Sequence, residues 1–483
     1  MTNNLTIDDM ANFCKRKGFV FPSGEIYGGL AGFWDYGPLG SELKKNLKDI
    51  WWKYHVHMRE DIVGIDGSII THPKVWSASG HIESFIDVAV VCKKCKNKTK
   101  VDKHELENAR CEKCGGEFEN KGDFIPMFTT QVGPIKEEST LSYLRPETAQ
   151  LIFADFKQIT DTTRLKLPFG IAQIGKSFRN EIAPRNFLFR CREFEQMEIE
   201  YFINPEKNKE CPYPIPDIEV KIYSAEMQKK NTEPKLMKIT DALNKKLIKL
   251  PWHAYWLATE LNFFFTLGAN PDNFRIRQHL PEEKSHYATD TWDIEYNFPF
   301  GYKELQGIAD RGTYDLTQHQ TKSKKSLEIM DEESNKKILP MVISEPSLGV
   351  ERALLVFMFD AYTENKTDSI ILKLNPKLSP IKAAILPLVK KDQILVQIAR
   401  EIFNKLKTEW NISYDESGSI GRRYARNDEI GTPYCITIDG DSSKDGTVTI
   451  RNRDNSEQKR IKTNEVKDTL RKLINNEIKF DKL

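Results

Sequence analysis

The pattern that most narrows the possible folds lies at residues 165–203, which read as two strands joined by a loop. In the first strand Ile171, Gln173, Gly175, Ser177, Arg179 and Glu181 point one way. Ala172, Ile174, Phe178 and Ile182 point the other, with Lys176 and Asn180 as polar exceptions. In the second, Phe194, Gln196, Glu198 and Glu200 share a face, and Met197, Ile199 and Tyr201 the opposite one. The apolar faces demand a core. The other faces gather Arg179, Glu181, Phe194, Gln196 and Glu198 on one surface, and the loop Ala183–Arg192 adds Arg185, Arg190 and Arg192. Such a surface offers guanidinium groups for phosphate, an aromatic face for a base and carboxylates for amines. Pairing that keeps Arg179 opposite Phe194 places Glu198 near Gly175. The same residues also fit a solvent-exposed hairpin laced with ion pairs.

Elsewhere the pattern divides the chain. Its 483 residues suggest roughly three domains. A glycine cluster, Gly28 to Gly40, precedes a helix expected from about Ser41, with Leu43, Leu47, Ile50, Trp51 and Tyr54 on one face. Pro73 introduces a new segment. Residues 90–122 form a compact insertion with four cysteines, and the Lys-rich stretch 205–250 reads as a second, variable one. Residues 252–265 are helical, Trp292–Asn297 and Tyr302–Gly307 are strands, and a charged stretch, Thr321–Lys337, precedes the apolar helix Val350–Phe359. A boundary falls near 364–380. Beyond it strand and helix alternate: a strand Ile381–Val389, a helix Gln393–Leu406 burying Ile394, Ile398, Ile402, Phe403 and Leu406, strands Tyr434–Ile438 and Thr447–Ile450, and a helix Lys462–Ile478. That alternation points to a separate α/β domain.

Lys and Arg number 72 against 70 Asp and Glu, so the chain is no polycation, and nucleic-acid contact must come from local patches. No apolar run reaches the ~18–20 residues of a membrane span. The first ten residues lack the basic start and apolar run of a signal peptide. Of eight cysteines, Cys92, Cys95, Cys111 and Cys114 form two C-x-x-C pairs, fifteen residues apart. Sparse cysteines suit a reducing compartment, and this spacing suits four thiolates around a structural zinc, with no open position for catalysis. Two disulfides or a redox pair are the alternatives.

The segments Phe178-Arg-Asn-Glu181 and Phe189-Arg-Cys-Arg-Glu-Phe194 resemble motif 2 of class II aminoacyl-tRNA synthetases. Pro73 after the long helix resembles motif 1, and Gly349-Val-Glu-Arg352 resembles motif 3. Within the class, the dimeric type of glycyl-tRNA synthetase is the family the chain resembles. The similar segments are Gly37-Pro-Leu-Gly40, Arg145-Pro-Glu-Thr-Ala-Gln150, Phe194-Glu-Gln-Met-Glu198, His286-Tyr-Ala288, Lys303 to Asp310, and Glu345-Pro-Ser-Leu-Gly349. The resemblance runs in order along nearly the whole chain. It departs at Lys100-Val-Asp102, where the family commonly has Arg-Ala-Asp.

This resemblance implies an α+β fold. Residues 1–375 would be a class II catalytic domain built on an antiparallel sheet, with a zinc-ribbon insertion at 90–122, and residues 380–483 a C-terminal α/β anticodon-binding domain. It implies a glycine–tRNA ligase reaction through glycyl-adenylate, with ATP, Mg²⁺, glycine and tRNA(Gly), in a cytoplasmic homodimer and away from membranes. Arg179 and Arg352 would be catalytic, Arg179 on the α-phosphate and substrate carboxylate, Arg190 and Arg352 on the outer phosphates. Glu181 would face the adenine amino group, Phe194 would stack on adenine, and Glu304 would sit near ATP and Mg²⁺. Asn180, Phe189, Cys191, Arg192, Glu193, Leu305, Gly349, Val350 and Glu351 complete the expected ATP set. Glu147, Glu198, Glu345 and Ser347 would surround the glycine ammonium and Cα, with Phe194, Glu195, Gln196, Met197, Pro346, Leu348 and Gly349 beside them. Short basic stretches, Gly421-Arg-Arg-Tyr-Ala-Arg426 and Arg451-Asn-Arg453, suit RNA phosphate contact or a solvated face. The competing readings are a non-catalytic nucleic-acid-binding paralogue, which should lack the ATP arginines, and another class II ligase, for serine, threonine or proline.

Overall fold

A computed structural model describes residues 5–483 apart from 85–86, 103–105, 107–108, 125, 136, 138–139, 284–289 and 365–368; the expected motif His286–Ala288 lies outside the described residues. The catalytic half is organised on strands β1 (Ile62–Ile65), β2 (Phe169–Phe178), β3 (Glu193–Ile203), β4 (Glu219–Tyr223), β5 (Lys235–Lys238), β6 (Phe274–Gln278), β7 (Asp290–Phe298), β8 (Gly301–Asp310) and β9 (Met341–Gly349). Among the described residues these form one nine-stranded sheet in the order β5-β4-β6-β7-β8-β9-β3-β2-β1. Pairing is antiparallel except between β1 and β2 and between β4 and β6. The stretch 205–250 thus supplies two strands of the sheet. Their apolar residues Val220 and Ile222 join the main core.

Alternation along β2 and β3 explains the layers. Ala172, Met197, Ile199 and Tyr201 pack into one large core with helices α1 (Pro38–Trp52), α3 (Pro251–Thr266) and α5 (Val350–Ala361). Phe169, Ile171 and Phe202 turn to the other side, against Ile152 and Phe153 of α2 (Ala149–Ala154) and Leu316 of α4 (Tyr314–Ser323). The second face is apolar only at one end of the strands, which leaves the polar end for a site. Helix α1 begins at Pro38, which sets the first helical φ and needs no N–H partner. It buries Leu43, Leu47 and Trp51, one residue per turn. Helix α3 is apolar nearly all round and correspondingly enclosed. Its buried Glu260 is paired with His55 at 3.0 Å and receives a hydrogen bond from Gln306 at 2.9 Å.

Three short strands, Asp87–Cys92, Lys98–Asp102 and Phe118–Phe124, make the cysteine-bearing unit a separate small sheet. Lys100 lies opposite Ala89 within it.

After residue 380 a five-stranded sheet has the order β11-β10-β12-β13-β14. Its strands are β10 (Ala383–Pro387), β11 (Ile412–Tyr414), β12 (Tyr434–Ile438), β13 (Thr447–Asn452) and β14 (Gln458–Lys462). Helices α6 (Gln393–Leu406) and α8 (Val466–Ile474) cover one face and α7 (Ile420–Glu429) the other. Helix α6 has its expected bounds, but its buried face is Leu395, Ala399, Ile402 and Leu406, and Ile394 is 61% exposed. The capping contact of Asp392 with the Ile394 and Leu395 amides sets that rotation. The expected helix Lys462–Ile478 is shorter, because Gln458–Lys462 extends the sheet. Three expected RNA-contacting arginines point inward instead. Arg423 donates to the Pro387 carbonyl at 2.7 Å, Arg451 pairs with Asp428 at 2.8 Å, and Arg453 reaches the Leu374 carbonyl at 2.8 Å. Buried guanidinium groups must find acceptors, and carbonyls with the carboxylates of Asp428 and Asp454 supply them here. Arg422 and Arg426 remain exposed.

Candidate active site

The register of β2 and β3 corrects the expected pairing. Phe194 lies opposite Ser177, Gln196 opposite Gly175, and Glu198 opposite Gln173. Strand β2 ends at Phe178, so Arg179 and Glu181 leave the ladder. The Arg179 amide still donates to the Arg192 carbonyl at 2.9 Å. A cavity of about 160 Å³ opens where the strands part. Of the expected ATP set, Arg179, Glu181, Phe189, Arg190, Cys191, Phe194, Glu304, Leu305, Gly349, Glu351 and Arg352 line it, together with Gln196, Ser347, Leu188 and Gly307.

Arg179 lies over the Phe194 ring, 5.3 Å from its centroid, and donates to the Pro146 carbonyl at 3.1 Å. Arg352 lies over Phe189 at 4.5 Å and donates to the Glu304 carbonyl at 2.8 Å. It also faces the Glu304 carboxylate at 3.3 Å, and that positive charge lowers the carboxyl's pKa. Arg190 pairs with Glu181 at 2.7 Å. Glu351 holds the wall rigid: it accepts from Lys44 at 2.9 Å, Tyr36 at 3.1 Å and the Glu195 amide at 2.9 Å.

Other expected residues stand elsewhere. The Asn180 amide bonds to Pro126, Arg192 turns to the carbonyls of Glu181 and Ala31, and Glu193 pairs with Lys176. Glu195 is held by Lys44 and Lys48. Met197, Leu348 and Val350 are in the main core on the opposite face. Strand alternation makes this unavoidable: neighbours of a cavity-facing residue must face away.

Beneath the cavity lies a buried polar floor. Glu198 accepts a hydrogen bond from the Thr148 hydroxyl. Glu345 pairs with Arg311 at 2.7 Å, and Arg311 pairs with Asp315 at 2.8 Å. Glu147 faces His81 at 3.2 Å and Gln150 at 3.1 Å. Burial alone would raise the Glu147 carboxyl, yet the charges of His81 and Arg311 hold it well below the ordinary range. Burial, then the neighbouring Glu147 charge, raises Glu198. Burial pushes Glu345 up to about 8, against the pull of Arg311. Gln173, placed by strand alternation on the Arg179 face, belongs to this floor, as do Thr148, Arg311, Asp315 and His81, which were not singled out in the sequence. Thr148 stood within the Arg145–Gln150 segment and Arg311 one residue past Lys303–Asp310, so those two had a signal.

Two groups of residues suit cations. Gly307 separates two carboxylates on β7 and β8: a Cβ there would lie 3.9 Å from Asp293 Oδ1 and 4.0 Å from Glu304 Oε1. In the small sheet, Cys92 and Cys114 Sγ are 3.5 Å apart, as are Cys95 and Cys111 Sγ. These sulfurs are free thiols, beyond disulfide length and near the ~3.8 Å edge of a tetrahedron with 2.3 Å Zn–S bonds. A Cβ on Gly116 would stand 3.0 Å from Cys92 Sγ and 3.3 Å from Cys114 Sγ, so the turn is shaped around the sulfurs.

Known proteins agree with this geometry. The family described as tRNA synthetase class II core domain (G, H, P, S and T) matches residues 128–362, and the anticodon binding domain family matches residues 382–473. A glycine–tRNA ligase of Thermobifida fusca is 42% identical over 96% of this chain and 97% of its own length. That of Borrelia hermsii is 44% identical over 96% of each chain, and that of Treponema denticola 42% over 98% of each. The solved structure of Giardia lamblia prolyl-tRNA synthetase in complex with prolyl-adenylate shares the fold. Its TM-score is 0.62 at 15% identity, with 98% of this chain and 81% of that chain covered. No helix among the described residues is long and apolar enough to cross a membrane. The chain belongs to the glycine–tRNA ligase family of class II aminoacyl-tRNA synthetases.

Proposed function

We propose that the cavity and the carboxylate floor beneath it divide the reaction between ATP and glycine. The chain joins glycine to tRNA(Gly) at the expense of ATP, through an adenylate. In the first step a glycine carboxylate oxygen attacks the α-phosphorus and pyrophosphate leaves. In the second, a hydroxyl of the terminal tRNA adenosine attacks the activated carbonyl carbon and AMP leaves. Both reactants of the first step are anions, so catalysis rests on aligned positive charge rather than on a side-chain nucleophile.

The single observation that carries this division is one cavity wall holding Arg179 and Arg352 together with Gln196 and Ser347, which stand two residues along β3 and β9 from buried Glu198 and Glu345. Arg179 binds the α-phosphate and the glycine carboxylate, and Phe194 offers its ring to adenine. Arg190 must exchange Glu181 for phosphate oxygens. That costs little, since a partly exposed pair contributes about 0.2–1 kcal/mol. Arg352, already fixed by two backbone carbonyls, meets the outer phosphates. Glu304, with Asp293 beside it, would hold Mg²⁺, which supplies charge neutralisation of the phosphates when bound. Glu147, Glu198 and Glu345 receive the ammonium, and selection of glycine requires that this floor exclude a side chain on Cα.

On the same reading residues 1–375 are the catalytic domain and 380–483 bind the anticodon region. The cysteine quartet holds one structural zinc, and the protein acts as a cytoplasmic homodimer. ATP–pyrophosphate exchange with glycine, alanine, serine, threonine and proline tests the assignment. Exchange with glycine alone is expected; exchange with another of these, or with none, would overturn it.

A further inference from the structure

One carboxyl group in the floor has no hydrogen-bond partner among the described residues. Glu200 is fully buried, and neither of its oxygens meets a donor there. It stands two residues beyond Glu198 on β3, and the carboxyl groups of Glu198, Glu200 and Glu345 each place an oxygen within 4.8 Å of the other two. Arg311 bonds Glu345 and Asp315 and reaches Glu200 only through space. Asp315 on α4 also acts on Glu200 through space. The other charged and titratable groups of the floor among the described residues are His319 on α4, Glu147 with His81, and Arg145, whose guanidinium is bonded to Gln173, Gly67 and Lys176. Three carboxylates so close in a dry site cannot all be charged. Burial, then the Glu345 charge, raises Glu200 well above the carboxylate range.

We propose that Glu200 is a positioning residue of the glycine site: it shares protons with Glu345 in the empty pocket, and the arriving ammonium expels one proton to solvent. Glu345 is thereby left ionised toward the ammonium. The exchange balances. Glycine keeps its three ammonium protons, the carboxyl pair loses one, and the buried net charge is unchanged, because one positive charge replaces another. The pocket can therefore attract a cation without holding unpaired negative charge while empty. The proposal rests on the glycine-site reading above.

Calorimetric titration of the full chain with glycine at pH 7, in two buffers of different ionisation enthalpy, counts the protons released. About one per glycine is expected for the wild type. An amide at this position can donate a hydrogen bond to Glu345 but cannot hand over a proton. Glu200→Gln should therefore release far less. In exchange assays, the wild-type KM for glycine should rise roughly tenfold per pH unit from pH 8 to 6, following a one-proton linkage. The variant should be nearly flat, and the KM for ATP unchanged in both. Equal proton release and equal pH slopes would overturn the proposal. So would a wild-type heat without buffer dependence, which decides the matter even if the variant fails to fold. No glycine-dependent heat in any buffer would overturn the site reading and this proposal together.

Discussion

Gly175 and Arg145 compete for one space: a Cβ on Gly175 would stand 2.0 Å from Arg145 Nη2. Arg145 is 1% exposed, and its guanidinium donates to the carbonyls of Lys176 at 2.7 Å and Gly67 at 2.8 Å and to Gln173 at 2.8 Å. The absence of a side chain at Gly175 therefore lets a buried arginine lie against β2. That arginine opens the segment that carries Glu147 and Thr148 into the floor. Gly175→Ala should cost about 1–3 kcal/mol, as overpacking does, and should raise the glycine KM more than the ATP KM. Thermal unfolding and exchange kinetics on the same variant check it; equal effects on both substrates would place Arg145 outside the glycine site.

Arg179→Ala and Arg352→Ala should each lower glycine-dependent exchange by ~100-fold or more, the usual cost of removing a preorganised charge. Both side chains are at the cavity edge rather than in a core, so circular dichroism should be unchanged. Near-normal exchange by either folded variant contradicts its assigned role.

Glu198→Gln should weaken glycine binding roughly 10- to 150-fold, equivalent to about 1.5–3 kcal/mol for a charge-assisted hydrogen bond, with ATP binding largely kept. The corrected register strengthens the expectation, because it sets Glu198 opposite buried Gln173, away from the phosphate end. Dissociation constants for both ligands decide it, and equal losses would give Glu198 a scaffold role.

Lys382, at the junction between the two halves, donates to the carbonyls of Pro376 at 3.0 Å and Lys377 at 2.6 Å. Burial pushes its amine down to about 7. A folded pKa below the unfolded value near 10.5 means that this group's stabilisation is present above 10.5 and is lost as pH falls toward 7. The Tm of Lys382→Met relative to wild type should therefore improve between pH 9.5 and 7. A constant difference would show an ordinary, charged lysine.

Elemental analysis of chelator-washed protein should find one zinc per chain. Cys111→Ser should release it and loosen the small sheet, leaving the main Tm nearly unchanged because that sheet has its own core of Val88, Val90 and Val101. A metal-free protein with intramolecular disulfides would contradict the quartet reading.

Features with a local cause were legible in the sequence. Helix α6 follows from its apolar period, β2 and β3 from their alternation, and the quartet from spacing alone. Motif resemblance identified the family and most of the cavity wall. What tertiary structure decided has no local signal. The register of β3 on β2 differs by two residues from the expected pairing, because the long irregular loop between them imposes no register. Strand β4 and the edge strand β5 emerged from a Lys-rich stretch whose Val220, Ile222 and Ile239 join the main core, with Met237 packed against it. Arg423, Arg451 and Arg453 look in sequence like phosphate ligands but are engaged by carbonyls, Asp428 and Asp454. Glu198, Glu200, Glu345 and Arg311 are separated by up to about 150 residues, and their mutual charge state exists only once they share a dry space. Spacing along a chain encodes periodicity and residue type, whereas burial and opposing charge are properties of neighbours that packing alone brings together.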